Sequence, residues 1–345
     1  MKGIIIAGGL GTRLRPVTYH RPKPLVPVAN RPFLEYQVAL LKQYGIDDLV
    51  FATNYMADKI EGHFGDGSRF GVRMRYAIEE TPLGTGGAIR NAADRFPGEA
   101  VAVFNGDVLT DFDLGRILDF HREKQAVATI TLSEVPSPNP FGVLILDGDG
   151  KVEAWREPSE ATKKLLSQGS FEITGTDKIN AGFYVFAPEF IESIPQGVPS
   201  SVERDIFPRF LERSAPVYGI APGGFWMDMG RPEQLMIASQ AILGGSVRTF
   251  TPGAAVGAGS AVATDAEMTG DSSVGSGCTV GAGSKLDAAI LLDGVRVGKS
   301  VRLRGVIVDE GATIEDDCIV EGAVGGPTLV LAAGTILKQG TRILY

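Results

Sequence analysis

Two patterns of apolar positions divide the chain. Up to about residue 245, short apolar runs alternate with stretches in which apolar residues recur at helical spacing. The runs at 3–7, 49–53, 73–77, 101–104 and 129–132 predict strands, and the stretches at 33–44, 85–93 and 114–123 predict helices. Strand and helix alternating at this interval predict an α/β domain built on a mixed, mostly parallel sheet covered on both faces. Sites in such sheets lie beyond the carboxyl ends of the strands. Two segments fall there: a glycine-rich turn after Ala7, and Asn105-Gly106-Asp107.

From Val256 the pattern changes. Val256, Val262, Met268, Val274, Val280, Leu286 and Leu292 recur every six residues; the spacing slips by one to Val297 and Leu303, and again to Val308, Ile314 and Val320. A period of six fits neither a helix nor a flat alternating strand. It fits a triangular parallel β-helix with about eighteen residues per coil, three of them apolar and on the axis. A glycine- and alanine-rich linker would not hold such register. Residues 322–327 interrupt the coils and leave the register beyond them open. The expected domains are therefore 1–245 and 246–345.

Composition narrows the setting. The chain has 345 residues, 44% of them apolar, and a net charge of −8. No apolar run approaches the roughly 20 residues that span a bilayer, which predicts no membrane association. The N-terminal apolar run reads as a first strand, not a signal peptide. Two cysteines, Cys278 and Cys318, suggest neither a disulfide framework nor a metal cluster, and a reducing, cytoplasmic setting is expected. Three histidines, His20, His63 and His121, form no pair and are expected on the solvated surface.

Against this acidic balance, residues 1–34 carry Lys2, Arg13, Arg15, Arg21, Lys23 and Arg31 and no carboxylate. No broad basic face occurs elsewhere, which argues against nucleic acid as a partner. Within the segment, Gly8-Gly9-Leu10-Gly11-Thr12-Arg13-Leu14-Arg15-Pro16 follows the first strand. Glycines let backbone N–H groups approach an anion, and the Arg13 fork can spread over pyrophosphate oxygens. Lys23, between Pro22 and Pro24, adds a point charge at low conformational cost. The competing reading is a tight turn with solvated arginines.

This turn, with Pro22-Lys23-Pro24-Leu25-Val26-Pro27-Val28 after it, resembles the fingerprint of the nucleotide-sugar pyrophosphorylases, which make NDP-sugars from an NTP and a sugar 1-phosphate. The segment from Pro82 to Thr85 is similar to the guanylyltransferase branch. The resemblance implies a Rossmann-like nucleotidyltransferase domain followed by a left-handed hexapeptide β-helix. It also implies nucleotide contacts from Ala7, Gly8, Gly9, Gly11, Thr12, Arg13 and Lys23, and Mg²⁺ held by Asp107 and Asp228. Two carboxylates at strand ends suit Mg²⁺, which takes few protein ligands beside phosphate oxygens and water. Asp111 and Asp113 read instead as helix-start residues.

By the same resemblance the segment from Glu79 to Gly87 cradles the base, with Gly84 near the ring. Guanine offers two adjacent donors, N1–H and N2–H₂, that one carboxylate can accept together, so Glu79 favours GTP. Uracil or thymine would be better served by a glutamine amide. For the sugar phosphate, Gly142 and Asn180 stand in segments similar to the family's. The expected Glu-Lys-Pro reads Arg156-Glu157-Pro158. Either Glu157 takes the hydroxyl-binding role with one residue missing, or the phosphate-binding lysine is gone and Arg156 or Lys178 supplies its charge.

The implied reaction is guanylyl transfer to mannose 1-phosphate, with Arg13, Lys23, Asp107 and Asp228 as the catalytic set. A thymidylyl- or uridylyltransferase acting on glucose 1-phosphate is the alternative, and a silent regulatory homologue is another. An acyltransferase on the β-helix would need a histidine there, and none follows His121. The β-helix is expected to mediate a homo-oligomer.

Overall fold

The computed structural model describes residues 1–167, 172–322 and 328–344. These form two compact units: Met1–Gly8 with Leu40–Trp226, and Gly9–Ala39 with Met227–Tyr345. The chain therefore passes between units three times: inside the glycine-rich turn, between Ala39 and Leu40, and just before Asp228.

The first unit is built on a nine-stranded sheet. Its strands are β1 (Lys2–Ile6), β2 (Asp48–Thr53), β3 (Arg73–Ile78), β4 (Val101–Asn105), β5 (Ala128–Ser137), β6 (Val143–Leu146), β7 (Val152–Arg156), β8 (Gly175–Phe186) and β9 (Val217–Ile220). The order is β7-β6-β8-β4-β1-β2-β3, with β5 branching from β8 and β9 pairing with β5. The β4-β1-β2-β3 half is parallel, while β8 runs antiparallel to β4, β5 and β6. β1 lies between β2 and β4, so the strand order reverses beside it. That reversal opens a crevice at the carboxyl ends of β1 and β4.

Fully buried runs such as Asp48–Thr53 belong to strands covered on both faces. Helix α1 (Phe33–Gln43) spans the two units, whereas α2 (Gly84–Ala93) and α3 (Leu114–Glu123) belong to the first. α2 buries Ala88, Ile89, Ala92 and Ala93 in the core, where Tyr184, Phe186, Phe190 and Phe207 also pack. Asp113 caps α3 by accepting from the Arg116 amide at 3.2 Å, as expected of a helix-start residue. Asp111 is not one: its Oδ1 accepts the Phe225 amide at 2.7 Å and fixes the strand entering Asp228.

His121 also departs from expectation. It is buried on α3 with Nδ1 2.8 Å from Thr129 Oγ1, and burial pushes its pKa down to about 4. His63 is half-buried against Phe64 and Phe70, and only His20 is exposed.

In the second unit, α4 (Pro232–Leu243) precedes stacked parallel coils. Val262 pairs with Val280 and Met268 with Leu286, eighteen residues apart. The next coils are seventeen residues long: Val280 pairs with Val297 and Leu286 with Leu303. These ladders make a parallel β-helix. Two expectations are corrected. The slip comes one repeat early, because Val274 pairs with Leu291 and Leu291, not Leu292, joins the axial cluster. Val256 keeps the register, pairing with Val274 eighteen residues on, but is 42% exposed and not on the axis. Of the expected interruption, residues 323–327 lie outside the described residues. Beyond them the register resumes, with Val308 on Leu331 and Ile314 on Leu337. Among the described residues no helix is long and apolar enough to cross a membrane.

Candidate functional site

The glycine-rich turn leaves β1 with most of its N–H groups turned away from backbone acceptors. Ala7 is buried and gives its N–H to Ala52 O at 2.7 Å, so its amide is spent on the sheet and not on a ligand. Among the described residues, the amides of Gly9, Leu10, Gly11, Thr12 and Arg13 find no backbone acceptor. Gly11 turns left-handed, with φ +60°, into a short 3₁₀ turn over Thr12–Leu14. A run of unpaired N–H groups through a left-handed turn is a concave anion cradle.

Charge in the second unit gathers on Asp228. Lys23 Nζ lies 4.0 Å from its Oδ1 and Arg13 Nη2 4.0 Å from its Oδ2. Lys23 is 8% exposed, whereas the Arg13 side chain is 60% exposed and can reach an incoming anion. Gly230 makes this arrangement possible: a Cβ there would come within 2.8 Å of Asp228 Oδ2 and 3.0 Å of Arg13 Nη2. Sequence reading missed Gly230, although it stands two residues after Asp228.

In the first unit, Asp107 follows Gly106, whose amide donates to Ile6 O at 2.8 Å. The carboxylate thus stands at the end of β4, beside the last residue of β1. Gly8 packs against Asn54, whose Nδ2 donates to Glu79 O at 2.8 Å, so the ends of β1, β2 and β3 converge.

Glu79 is half-buried there, and burial pushes its carboxyl pKa up, partly offset by a bond from the backbone. That bond runs from Leu83 N–H to Oε2 at 2.9 Å. Gly84 has a structural duty of its own. Its φ is +68°, and a Cβ would sit 2.5 Å from Ser200 O. The Ser200 backbone in turn accepts from Gly86 at 2.8 Å and donates to Leu83 O at 2.8 Å.

Gly84, Thr85, Trp155, Glu157, Ser201 and Glu203 are among the residues lining an open cleft of about 670 Å³ in this unit. Glu157 Oε1 accepts from Trp155 Nε1 at 3.0 Å, and Gly142 lies against both side chains. Arg204 also lines the cleft; Arg156 and Lys178 do not.

Asn180 connects to this cleft through residues the sequence did not single out. Its Nδ2 donates to Tyr184 Oη at 2.6 Å, and that hydroxyl donates to Glu203 Oε1 at 3.2 Å. Glu203 Oε2 accepts from Thr85 Oγ1 at 2.9 Å and Ser201 Oγ at 2.7 Å. Burial raises the Tyr184 pKa well above the usual value, so its hydroxyl stays neutral. Glu203 thus ties the start of α2 to β8. The pairs are up to 118 residues apart, and no local motif announces them.

Comparison with known proteins gives matches along most of the chain. Residues 2–244 match the nucleotidyl transferase family, and residues 245–323 match the GlmU-like C-terminal hexapeptide family. A mannose-1-phosphate guanylyltransferase from Mycobacterium tuberculosis is 37% identical over 92% of this chain and 82% of its own length. A UTP–glucose-1-phosphate uridylyltransferase from Synechocystis is 32% identical over 75% of this chain and 68% of its own length. The crystal structure of HddC from Yersinia pseudotuberculosis complexed with GMP-PN superposes with a TM-score of 0.57 at 28% identity, covering 69% of this chain and 98% of that one.

Proposed function

The chain belongs to the nucleotidyl transferase family as a sugar-1-phosphate nucleotidyltransferase, and from that premise we propose that it transfers a guanylyl group from GTP to mannose 1-phosphate. The observation that carries the choice of base is Glu79. Its carboxylate stands at the carboxyl end of the parallel sheet with Oε2 anchored on Leu83 N–H. A fixed, charged acceptor suits the paired donors of guanine. The similarity to mannose-1-phosphate guanylyltransferases supports the sugar.

In the reaction, an anionic oxygen of the sugar phosphate attacks the α-phosphorus in line. The new P–O bond forms as the bond to the β-phosphate oxygen breaks, and pyrophosphate leaves with the electron pair. The nucleophile is already charged, so no side chain need remove a proton. The work of the protein is positioning and charge neutralisation. In this reading, the amides of Gly9 to Arg13 and the Arg13 guanidinium take the leaving pyrophosphate. Lys23 adds a buried positive charge. Glu157, Asn180 and Gly142 meet the sugar.

Members of the family generally work with a divalent metal, and the residues here fit Mg²⁺. Asp107 and Asp228 offer hard oxygen donors, and among the described residues no group of three or more His, Cys, Asp or Glu could cage an ion. Mg²⁺ suits that supply, since it keeps waters and phosphate oxygens beside one or two carboxylates. When bound, it would neutralise charge growing on the phosphoryl oxygens.

We further propose residues 1–245 as the catalytic domain and 246–345 as a β-helix that assembles a cytoplasmic homo-oligomer. Both cysteines are free and buried, which supports a reducing setting. A monomeric mass for the full chain in solution would sink the oligomer.

Pyrophosphate release across four NTPs with mannose, glucose, galactose and heptose 1-phosphates tests the substrate. Turnover fastest with GTP and mannose 1-phosphate is expected. Turnover with UTP or dTTP but not GTP would overturn the base assignment, and silence with every pair would leave a regulatory homologue.

A further inference from the structure

The segment that carries Arg13 and Lys23 belongs to the same compact unit as the β-helix, and the two are joined by polar contacts. Between residues 9 and 28 that segment has two short 3₁₀ turns, Thr12–Leu14 and Lys23–Leu25, and the two-residue strand Pro27–Val28, so its shape depends on what it is fastened to. Asp309, at the end of the coil strand Arg302–Val308, is 1% exposed. A carboxylate so buried needs partners. Its Oδ1 accepts from Glu310 N at 2.9 Å and from Arg21 Nη2 at 3.3 Å. Arg21 also donates to Glu310 Oε2 at 2.7 Å, and its side chain is only 13% exposed.

Arg21 stands two residues before Lys23. Farther along, Ala29 O accepts from Ala254 N at 2.8 Å, Asn30 Nδ2 donates to Ala254 O and Val274 O at 2.9 and 2.7 Å, and Arg31 Nε donates to Pro252 O at 2.7 Å. The nucleotide segment is therefore fastened to the β-helix at both the Arg21 and the Asn30 ends.

We propose that Asp309 is a positioning residue for nucleotidyl transfer: through Arg21 it fixes the segment bearing Arg13 and Lys23, so that the β-helix sets the phosphate-binding geometry within its own chain. The proposal rests on the phosphate role assigned to that segment above. It gives the β-helix a part in the reaction that assembly alone would not.

The test uses the full-length chain carrying Asp309→Asn, with the NTP turned over fastest in the panel above. The variant should raise KM for the NTP about tenfold, because a charge-assisted anchor becomes a neutral one. KM for the sugar 1-phosphate and the oligomeric mass should not move. Amide hydrogen exchange across residues 11–28 should quicken. Glu310→Gln, which removes the exposed partner of Arg21, should shift both readouts in the same direction by less, and it carries the test if Asp309→Asn does not fold. Arg21→Lys should restore part of what Arg21→Ala loses. Unchanged exchange across 11–28 would overturn the proposal. So would an unchanged KM for the NTP when Arg13→Ala raises it. If Arg13→Ala also leaves that KM unchanged, the phosphate reading of the segment falls instead.

Discussion

Replacing Glu79 with glutamine should invert the base preference, and the Leu83 amide is the reason. In the wild-type chain Leu83 N–H donates to Glu79 Oε2 at 2.9 Å, and the carboxylate can accept further bonds from a ligand. A glutamine would turn its carbonyl oxygen to Leu83, because an amide NH₂ cannot accept there. Its NH₂ would then face the base. Guanine, with two donors on that edge, would meet a donor, while uracil would find one for its carbonyl. Two hydrogen bonds to a charged group at about 1.5–3 kcal/mol each set the loss for GTP at about 3 kcal/mol or more. At about 1.4 kcal/mol per tenfold, kcat/KM for GTP should fall at least about a hundredfold. Steady-state pyrophosphate release with GTP and UTP, on a variant of unchanged melting temperature, makes the measurement. A kcat/KM for GTP within threefold of wild type would show that Glu79 does not read the base.

Three further outcomes follow from the same geometry. Burial raises the Glu79 pKa above its ordinary 4.5, and the charged form is the one that accepts from guanine. KM for GTP should therefore climb as pH falls toward that raised value, and Glu79→Gln should abolish the trend. The stability effect has the opposite sign: a carboxyl that binds its proton more tightly folded than unfolded adds stability as pH drops through the same window, readable by urea titration. Asp107→Asn should abolish Mg²⁺-dependent turnover while the circular dichroism stays the same; retained activity would contradict the metal role. Gly84→Ala forces φ +68° on a side chain and drives a Cβ against Ser200 O, which should cost about 2 kcal/mol or more and lower the melting temperature by several degrees. Gly9→Ala, where a Cβ meets nothing within 4 Å, should melt normally.

Much of this molecule was legible because its signals are local. Strands in the parallel half were readable within a residue or so of the observed bounds: the inner ones as apolar runs, because burial on both faces leaves few polar positions to blur them, and the edge strand Arg73–Ile78 as an alternation that includes Arg73 and Arg75. The β-helix was readable from its period. Its one-residue slip was misplaced because Leu291 and Leu292 are both buried, and only the pairing with Val274 separates them.

His121 was misjudged although a signal existed: Leu114, Ile117, Leu118 and His121 share one helical face, and all are buried. Asp111 was misassigned because its partner, Phe225, lies 114 residues away. Glu203 escaped notice for the same reason, as its role arises from Thr85, Tyr184 and Asn180 meeting in space. Local motifs expose the groups that would touch phosphate; the groups that hold them are set by tertiary contacts. Asp309 is the extreme case, joined to Arg21 across 288 residues.

The most direct measurement is ³¹P NMR of the full-length chain with GTP, mannose 1-phosphate and Mg²⁺. Both substrates should be consumed together, and GDP-mannose and pyrophosphate should appear in equal amounts. GTP left intact while UTP or dTTP reacts, or GTP cleaved to GDP and inorganic phosphate with no sugar nucleotide formed, would contradict it.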